Sequence, residues 1–392
     1  MATATRYAHP SPAPEPPGPS PGAAASPVRL SAAVMCHPSR EAAARALAGR
    51  FPDLHATVVL DPAPDGPPDA LRTALRAWSA VVPGATHHLV LQDDALPAED
   101  FLRRLHALVA AQPDAALSLF TEWGSRTSYA LRIAAMSGHH LAPVVDDYVP
   151  CVGLVLPAGV ARGFADHARA EAADGDPDDL ALLHYLAARG VRTLVPVANL
   201  VDHDNGAPSL VGNSVHGPRS AACLVPPDLA ALPAEPTVLT GLGTVPYYDF
   251  WGQYSDACIP DDSTVDGRVR SSARVFLRGH GVTQDELSAG LAAALERCPE
   301  RAFLTERVSE IVLTEVWIVS FLLGFTAAGL EGRGGASLDL TGPLPAAALA
   351  TLGPGAVRRV VPRWLLPAVG ALLTPLVLEA VRAGAARAPL RS

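Results

Sequence analysis

The sequence predicts an α/β protein in which a mostly parallel sheet flanked by helices precedes a mainly α-helical carboxyl-terminal domain. Strand-like and helix-like segments alternate from Val28 to Asp94, a pattern typical of a doubly wound parallel sheet. From about Ser220 this alternation stops, prolines cluster, and two long apolar stretches follow. We therefore expect one domain over residues 28–219, and a linker with a helical domain over residues 220–392.

Residues 1–27 precede this pattern and contain eight prolines between Pro10 and Pro27, interleaved with Ser, Ala and Gly. Such a segment has little apolar surface to bury, so we expect an extended, disordered leader. It lacks the charged and then apolar run of a secretory signal, which favours a cytoplasmic protein.

Cysteine content and charge exclude some classes of site and partner. The five cysteines are far apart, odd in number and without a C-x-x-C pair, so we expect neither a disulfide framework nor a zinc site. The chain carries 39 acidic and 30 basic residues, a formal net charge of −9. Because nucleic acids bind basic surfaces, this balance argues against a nucleic-acid partner.

Three strands are predicted before residue 93, at 28–35, 55–60 and 87–92, with helices at 41–49 and 69–80 between them. Each strand is followed by polar side chains: His37 and Arg40, then Asp61, then Asp93 and Asp94. Ligands bind at the carboxyl ends of the strands in open α/β sheets. We therefore expect these side chains to face one crevice.

Asp93 and Asp94 are the central candidates in this set. Two adjacent carboxylates repel each other unless a proton or a cation lies between them. Carboxylate oxygens suit Mg²⁺ and Mn²⁺, which also bridge phosphate oxygens. The alternative is a solvated acidic turn in which one Asp caps the following helix. The coincidence of polar groups after all three strands favours a site.

Further strands are predicted at 115–120, 152–156 and 191–196, and helices at 101–111, 157–171 and 180–189. Between them, residues 122–147 form a long, irregular polar segment that we expect to be a functional or mobile loop. Asp178 and Asp179 open the last helix, where acids also complement the helix dipole. His203 lies in the loop that follows and is either a ligand or an ordinary packing residue.

The order of these motifs resembles that of the GT-A-type glycosyltransferases, especially bacterial ones. The motifs are Gln92-Asp93-Asp94, Asp178-Asp179, His203 and the segments 199–203 and 209–213. The resemblance covers about half of the chain. It implies a GT-A-like, Rossmann-type fold and transfer of a sugar from a nucleotide-diphosphate sugar to an acceptor hydroxyl. It also implies a divalent metal ion, Mn²⁺ or Mg²⁺.

The resemblance assigns roles to individual residues. It implies that Asp94 and His203 hold the metal ion, since Gln92 stands at the first position of the family's D-x-D motif. If the reaction inverts configuration, Asp179, or else Asp178, takes the acceptor proton; if it retains configuration, the pair only holds the acceptor. The residues implied to contact the nucleotide sugar are His37, Arg40, Asp61, Asp93 and Ser209.

Two other functions compete with sugar transfer. Gln92 and the large carboxyl-terminal region leave open a non-catalytic protein of the same fold that binds a partner or a membrane surface. Nucleotidyl transfer is less favoured because residues 36–40, after the first strand, contain no glycine for a phosphate loop. A dinucleotide enzyme is disfavoured because no G-x-G-x-x-G follows a predicted strand.

The carboxyl-terminal region contains an aromatic run at 247–254, which we expect to pack between domains, and apolar stretches at 311–330 and 364–380. Both stretches are either membrane-associated or buried helices. Glu315 in the first and two prolines in the second favour buried helices. Flanking arginines leave peripheral contact with anionic lipid open, and the helices leave homo-oligomerisation open.

Overall fold

The computed structural model describes residues 27–171, 176–206, 213–330 and 338–388. The leader expected over residues 1–27 lies outside the described residues except for Pro27, and Ser209 also lies outside them.

Within the described residues, strands form a central sheet, a three-stranded sheet and a two-stranded pair. The strands are β1 (Leu30–Cys36), β2 (Thr57–Leu60), β3 (His87–Gln92), β4 (Ala95–Pro97), β5 (Ala116–Ser118), β6 (Leu141–Pro143), β7 (Gly153–Pro157), β8 (Thr193–Pro196), β9 (Val201–His203), β10 (Val245–Asp249), β11 (Tyr254–Pro260) and β12 (Arg268–Ser272). The helices are α1 (Glu41–Gly49), α2 (Leu71–Ser79), α3 (Phe101–Ala111), α4 (Arg126–Met136), α5 (Ala158–Glu171), α6 (Asp178–Ala188), α7 (Asn213–His216), α8 (Ala273–Gly279), α9 (Gln284–Glu296), α10 (Arg301–Arg307), α11 (Glu310–Ala328), α12 (Pro343–Ala350), α13 (Leu352–Val357) and α14 (Leu366–Arg387).

The central sheet has the strand order β2-β1-β3-β7-β5-β8-β6, with β7 and β6 antiparallel to their neighbours. Its strands are mostly apolar, as is typical of a sheet that helices cover on both faces. Along β1, Ala32 and Val34 pack towards α1 and α3, whereas Ala33 and Met35 pack towards α2, α5 and α6. The predicted α/β class with a mostly parallel sheet is confirmed.

The segment 122–147, expected to be a loop, contains helix α4 and strand β6, so that prediction is wrong. Every residue of α4 is buried, which removes the one-sided apolar pattern that marks a surface helix. Its polar residues make buried contacts; Arg132, fully buried, donates to the carbonyl oxygens of Ala348 and Trp123. The polar residues of this segment therefore led to the prediction of a loop where a buried helix lies.

The carboxyl-terminal region is helical as predicted, but it also contains the antiparallel sheet β10-β11-β12. The expectation that strands stop at about Ser220 is therefore wrong. In β10, Tyr248 is buried in the helical core while Tyr247 faces a pocket. The hydrophobic core that contains Tyr248 also contains residues of α4, so packing is continuous across the boundary predicted at 219/220.

Two helical stretches, Glu310–Ala328 and Arg363–Arg387, are long and apolar enough to cross a membrane by length and composition alone. The apolar window of the first is 78% buried inside the protein and that of the second 44%. The two helices touch backbone to backbone, since a methyl group on Gly324 or Gly384 would overlap a carbonyl of the other helix. The acid in the first, Glu315, is paired with Arg274 at 2.5 Å.

Candidate functional site

The polar residues that follow β1 and β3 lie together at one edge of the central sheet. Arg40 Nε lies 3.4 Å from Asp93 Oδ1, and its Nη1 lies 3.9 Å from Asp94 Oδ2. The short pair β4-β9 aligns Ala95 with His203, and this register places His203 beside Asp94. The His203 Nε2 to Asp94 Oδ2 distance is 3.1 Å. Residues about 110 positions apart are thus in direct contact.

The two adjacent carboxylates have different environments. Burial alone would raise the pKa of Asp94, but the His203 hydrogen bond and the nearby charges of Arg40 and Arg219 hold that pKa below its usual value. Burial raises the pKa of Asp93 to about 6, against the lowering effect of Arg40. Asp94 is therefore the carboxylate that stays charged across the neutral range.

Asp61, after β2, is held by a different partner. Arg72 donates from Nε to Oδ1 at 2.6 Å and from Nη2 to Oδ2 at 2.7 Å, a bidentate pair. This hydrogen bonding lowers the pKa of Asp61. His37 Nε2 lies 3.4 Å from the Pro64 carbonyl oxygen in the loop that follows. The contacts of Asp61 and His37 with a nucleotide stay predictions.

A pocket of about 430 Å³ lies beside the Asp94-His203 contact, within the range of small-molecule sites. The α/β part of the chain contributes Gln92, His203, Asp178 and Asp179 to its lining. The three-stranded sheet contributes Tyr247, Asp249, Phe250, Trp251 and Arg270. The pocket is therefore built by both predicted regions of the chain.

Asp178 and Asp179 line this pocket at the start of α6. Burial, together with the charge of Asp179, raises the pKa of Asp178 to about 7. Burial also raises the pKa of Asp179, and it raises that of Asp146, on the segment after β6, to about 6. The pocket thus holds carboxyl groups that exchange protons near neutral pH, as general bases do.

The lining contributed by the carboxyl-terminal sheet was not predicted from the sequence. Arg270 lies between Asp249 and Asp256, with N–O distances of 2.5 and 2.6 Å, and its guanidinium lies 5.2 Å from the centre of the Tyr247 ring. Arg126 pairs with Asp147 at 2.9 Å. The aromatic run at 247–254, unusual in a chain with 5% aromatic residues, was the available signal.

The residues around Asp94 can be tested for their fit to a metal ion. Asp94 Oδ1 is buried without a hydrogen-bond partner in the described part of the chain, and a carboxylate with an imidazole suits Mn²⁺. However, Arg219 Nη2 lies 3.0 Å from His203 Nε2. The described residues contain no group of three or more His, Cys, Asp or Glu arranged to hold a metal. Two protein ligands are therefore available, which suffices when substrate phosphates complete the coordination.

No family model matches the chain, and no curated protein matches it in sequence. The likeness to GT-A-type glycosyltransferases therefore rests on the residues named above. Of those residues, Asp178, Asp179 and His203 share the pocket, Asp94 contacts His203, and Arg40 and Asp93 adjoin Asp94.

Proposed function

We propose that this protein is a glycosyltransferase that moves a sugar from a nucleotide-diphosphate sugar to an acceptor hydroxyl. The observation that carries the proposal is the contact between Asp94 and His203, because His203 lines the same pocket as Asp178 and Asp179. These acids and the imidazole come from separate elements of the chain, and charged groups gathered in one cleft are typical of reactive sites.

The donor's diphosphate would bind beside Asp94, where Arg40 and Arg219 supply positive charge. Asp94 and His203 would hold a divalent cation, Mn²⁺ or Mg²⁺. When bound, the cation would neutralise the negative charge that develops on the departing diphosphate. The two guanidinium groups supply the same kind of stabilisation from the chain itself.

For an inverting transfer, the acceptor oxygen attacks the anomeric carbon as the bond from that carbon to the diphosphate oxygen breaks. The proton of the acceptor hydroxyl passes to a carboxylate of the pocket. We favour Asp178 as this base, because its pKa of about 7 suits proton transfer at neutral pH. Asp179 would then hold the acceptor, a change from the order of preference in the sequence-based prediction.

A thermal-shift screen with UDP-, GDP- and dTDP-sugars, each with MnCl₂ or EDTA, tests the proposed function. A ligand selective for the folded state raises the melting temperature, by about 3 °C or more at saturating concentration. We expect one nucleotide class to give this shift with MnCl₂, and Asp94→Ala to abolish it. Asp53→Ala, which alters an exposed acid, is the matched control. If no nucleotide sugar shifts the wild-type protein with or without metal, the proposal is wrong.

A non-catalytic protein of the same fold is the second candidate. It is favoured by the 3.0 Å contact of Arg219 Nη2 with His203 Nε2, which places a permanent positive charge beside the nitrogen that would bind the metal ion. Turnover of any donor by the wild-type protein would exclude it. The cytoplasmic location, peripheral membrane contact and self-association through the carboxyl-terminal helices stay predictions.

A further inference from the structure

Helix α14 turns an apolar face outwards. A helix on the surface of a protein in water normally presents polar residues to the solvent. Along α14 and the turn before it, the exposed and half-exposed residues that recur at helical spacing are instead apolar. We call this row the outer stripe, and it consists of Trp364, Pro367, Ala368, Ala371, Pro375 and Leu378.

The opposite face of α14 holds the helix to the rest of the protein. Val369, Leu373 and Val377 are buried in the hydrophobic core of the carboxyl-terminal region. Farther along, Gly384 touches the backbone of Phe321 in α11. Because one face is used in this way, the outer stripe is a surface of the folded protein and not one side of an independent membrane span.

Trp364 is the most exposed large apolar side chain in the described ranges, at 80%. A tryptophan that contacts only water leaves a large apolar ring unburied, and exposed apolar patches commonly mark binding surfaces. Tryptophan is enriched at the boundary between a membrane and water, where its ring is in an apolar layer and its N–H is hydrated. The position of Trp364 at the start of the outer stripe fits such a boundary.

The charge around the outer stripe is positive, although the chain as a whole carries a net charge of −9. Residues 340–378 contain no Asp or Glu. Arg359 and Arg363 are exposed beside Trp364, and they donate to the carbonyl oxygens of Val215 and Asn205, each at 2.9 Å. In the described part of the chain neither arginine forms an ion pair, so both charges are available to an anionic partner.

This combination of groups distinguishes between two possible occupants of the stripe. A second copy of the chain would bring the same acid-free stripe, and the arginines would then have no carboxylate to pair with. A membrane with anionic lipids offers phosphate groups for the arginines and an apolar layer for the tryptophan. Arg382, which is exposed near the other end of α14, is also placed to reach phosphates when the helix lies flat.

We propose that the outer stripe binds the surface of a membrane that contains anionic lipids, with α14 parallel to the membrane plane. Arg359 connects this surface to the pocket, since its guanidinium carbon lies 3.9 Å from the centre of the Trp251 ring and Trp251 lines the pocket. A bound membrane would therefore lie beside the rim of the pocket. The proposal does not rest on the proposed sugar transfer, because it uses a different surface.

Co-sedimentation of the full chain with sucrose-loaded vesicles tests this proposal. One set of vesicles is phosphatidylcholine alone, and the other contains about 30% phosphatidylglycerol. We expect binding to the anionic vesicles to be about tenfold stronger than to the neutral ones at about 0.1 M NaCl, and to weaken at about 0.5 M NaCl because salt screens the charges.

Two variants locate the effect on the outer stripe and its arginines. Trp364→Ala and Arg363→Gln should each weaken binding to the anionic vesicles about fivefold. The matched controls keep the wild-type binding: Ile311→Ala, at a side chain 70% exposed at the start of α11, and Arg76→Gln, at an exposed residue of α2. If Trp364→Ala does not fold, Ala371→Glu tests the stripe by placing an acid in it.

Three results would overturn the proposal. The first is equal binding to both kinds of vesicle, or no binding to either. The second is unchanged binding in the folded stripe and arginine variants. The third is self-association, measured by analytical ultracentrifugation, that the stripe variant abolishes while vesicles are not bound; this result would assign the stripe to a second copy. Vesicle binding is measured without nucleotide sugar, so its failure leaves the proposed function untouched.

Discussion

Two sets of buried or half-buried carboxylates in this protein differ in their partners. Asp61 and Glu315 each face an arginine, at 2.6 and 2.5 Å. The first pair joins the end of β2 to α2, and the second joins α11 to α8. Asp146, Asp178 and Asp179 share a pocket and have no ion pair in the part of the chain that the structure describes. The first set is complete in the free protein. In the second set, Asp178 and Asp179 accept backbone hydrogen bonds at the start of α6, and Asp146 accepts one from the Thr127 N–H.

The pKa of Asp61 and those of the pocket acids shift in opposite directions. Hydrogen bonds from Arg72 lower the pKa of Asp61, whereas burial raises the pKa of Asp146 to about 6 and that of Asp178 to about 7. An acid whose pKa is lowered by folding stabilises the fold at neutral pH, and an acid whose pKa is raised destabilises it. Paired acids are therefore expected to act in folding, and unpaired acids in function.

The largest expected effect is on turnover in Asp178→Asn. If Asp178 is the base, its loss should reduce transfer by about 10²–10⁴-fold, while nucleotide-sugar binding is retained. The measurement is the rate of nucleoside diphosphate release from a donor that binds. A loss of less than about tenfold would show that Asp178 is not the base. None of the pocket acids would then have a proposed catalytic role.

The second largest expected effect is on stability, at an acid that is paired with an arginine. Glu315→Ala leaves Arg274 without its carboxylate and the Ser255 N–H, at 2.9 Å, without its acceptor. Because Arg274 is about one-third exposed, we expect about 2–3 kcal/mol of lost stability, somewhat below the cost for a fully buried pair. Urea unfolding measures it. Glu296→Ala, at an exposed acid, is the control and should change stability by less than about 0.5 kcal/mol.

Removal of the Asp178 charge should raise the stability of the protein, whereas removal of the Glu315 charge should lower it. Its pKa is about 7 in the folded protein against 3.8 for the free group, so its contribution to the free energy of unfolding falls as pH rises from about 4 to about 7. Above pH 7 the destabilisation is complete. Asp178→Asn should therefore be more stable than the wild type at pH 8 and equal to it near pH 4, as urea unfolding at the two pH values would measure. A variant that is less stable at pH 8 would show that the buried charge has a compensating partner.

The smallest expected effect is at Asp61. Since folding lowers its pKa, the pair with Arg72 stabilises the fold above about pH 4, and this stability is lost as pH falls through the folded pKa. Asp61→Asn should cost about 1 kcal/mol at pH 7 and nothing at pH 2, because the side chain lies partly open to solvent. Chemical unfolding at the two pH values measures the difference. A cost that persists at pH 2 would assign the effect to packing.

The strand ends of the α/β part could be predicted because each depends on short-range sequence. Strands β1, β2 and β3 are short apolar runs that end in polar residues, and parallel strands place those ends at one edge. The approach of His203 to Asp94 depends on the pairing of β4 with β9, two three-residue strands too short to leave a pattern. Their contact followed from the resemblance and not from periodicity.

The other parts of the pocket could not be predicted for identifiable reasons. Helix α4 is buried on all sides, so its sequence has no helical alternation of apolar and polar residues. Asp146 follows β6, a strand of three residues inside a segment that was expected to be a loop. In β12 all five residues are at least partly exposed, and Arg270 there faces the pocket only because β12 pairs with β11. Such long-range pairing is not encoded in local composition.

The central claim is that Asp94 and His203 bind the donor and that Asp178 takes the proton of the acceptor. The affinity for the donor in Asp94→Ala and Asp178→Asn tests this claim most directly. Isothermal titration with the nucleotide sugar that gives the largest thermal shift, in the presence of MnCl₂, separates these assignments. We predict that Asp94→Ala loses at least tenfold in affinity and that Asp178→Asn binds the donor as the wild type does. Equal binding by wild type and Asp94→Ala would contradict the account.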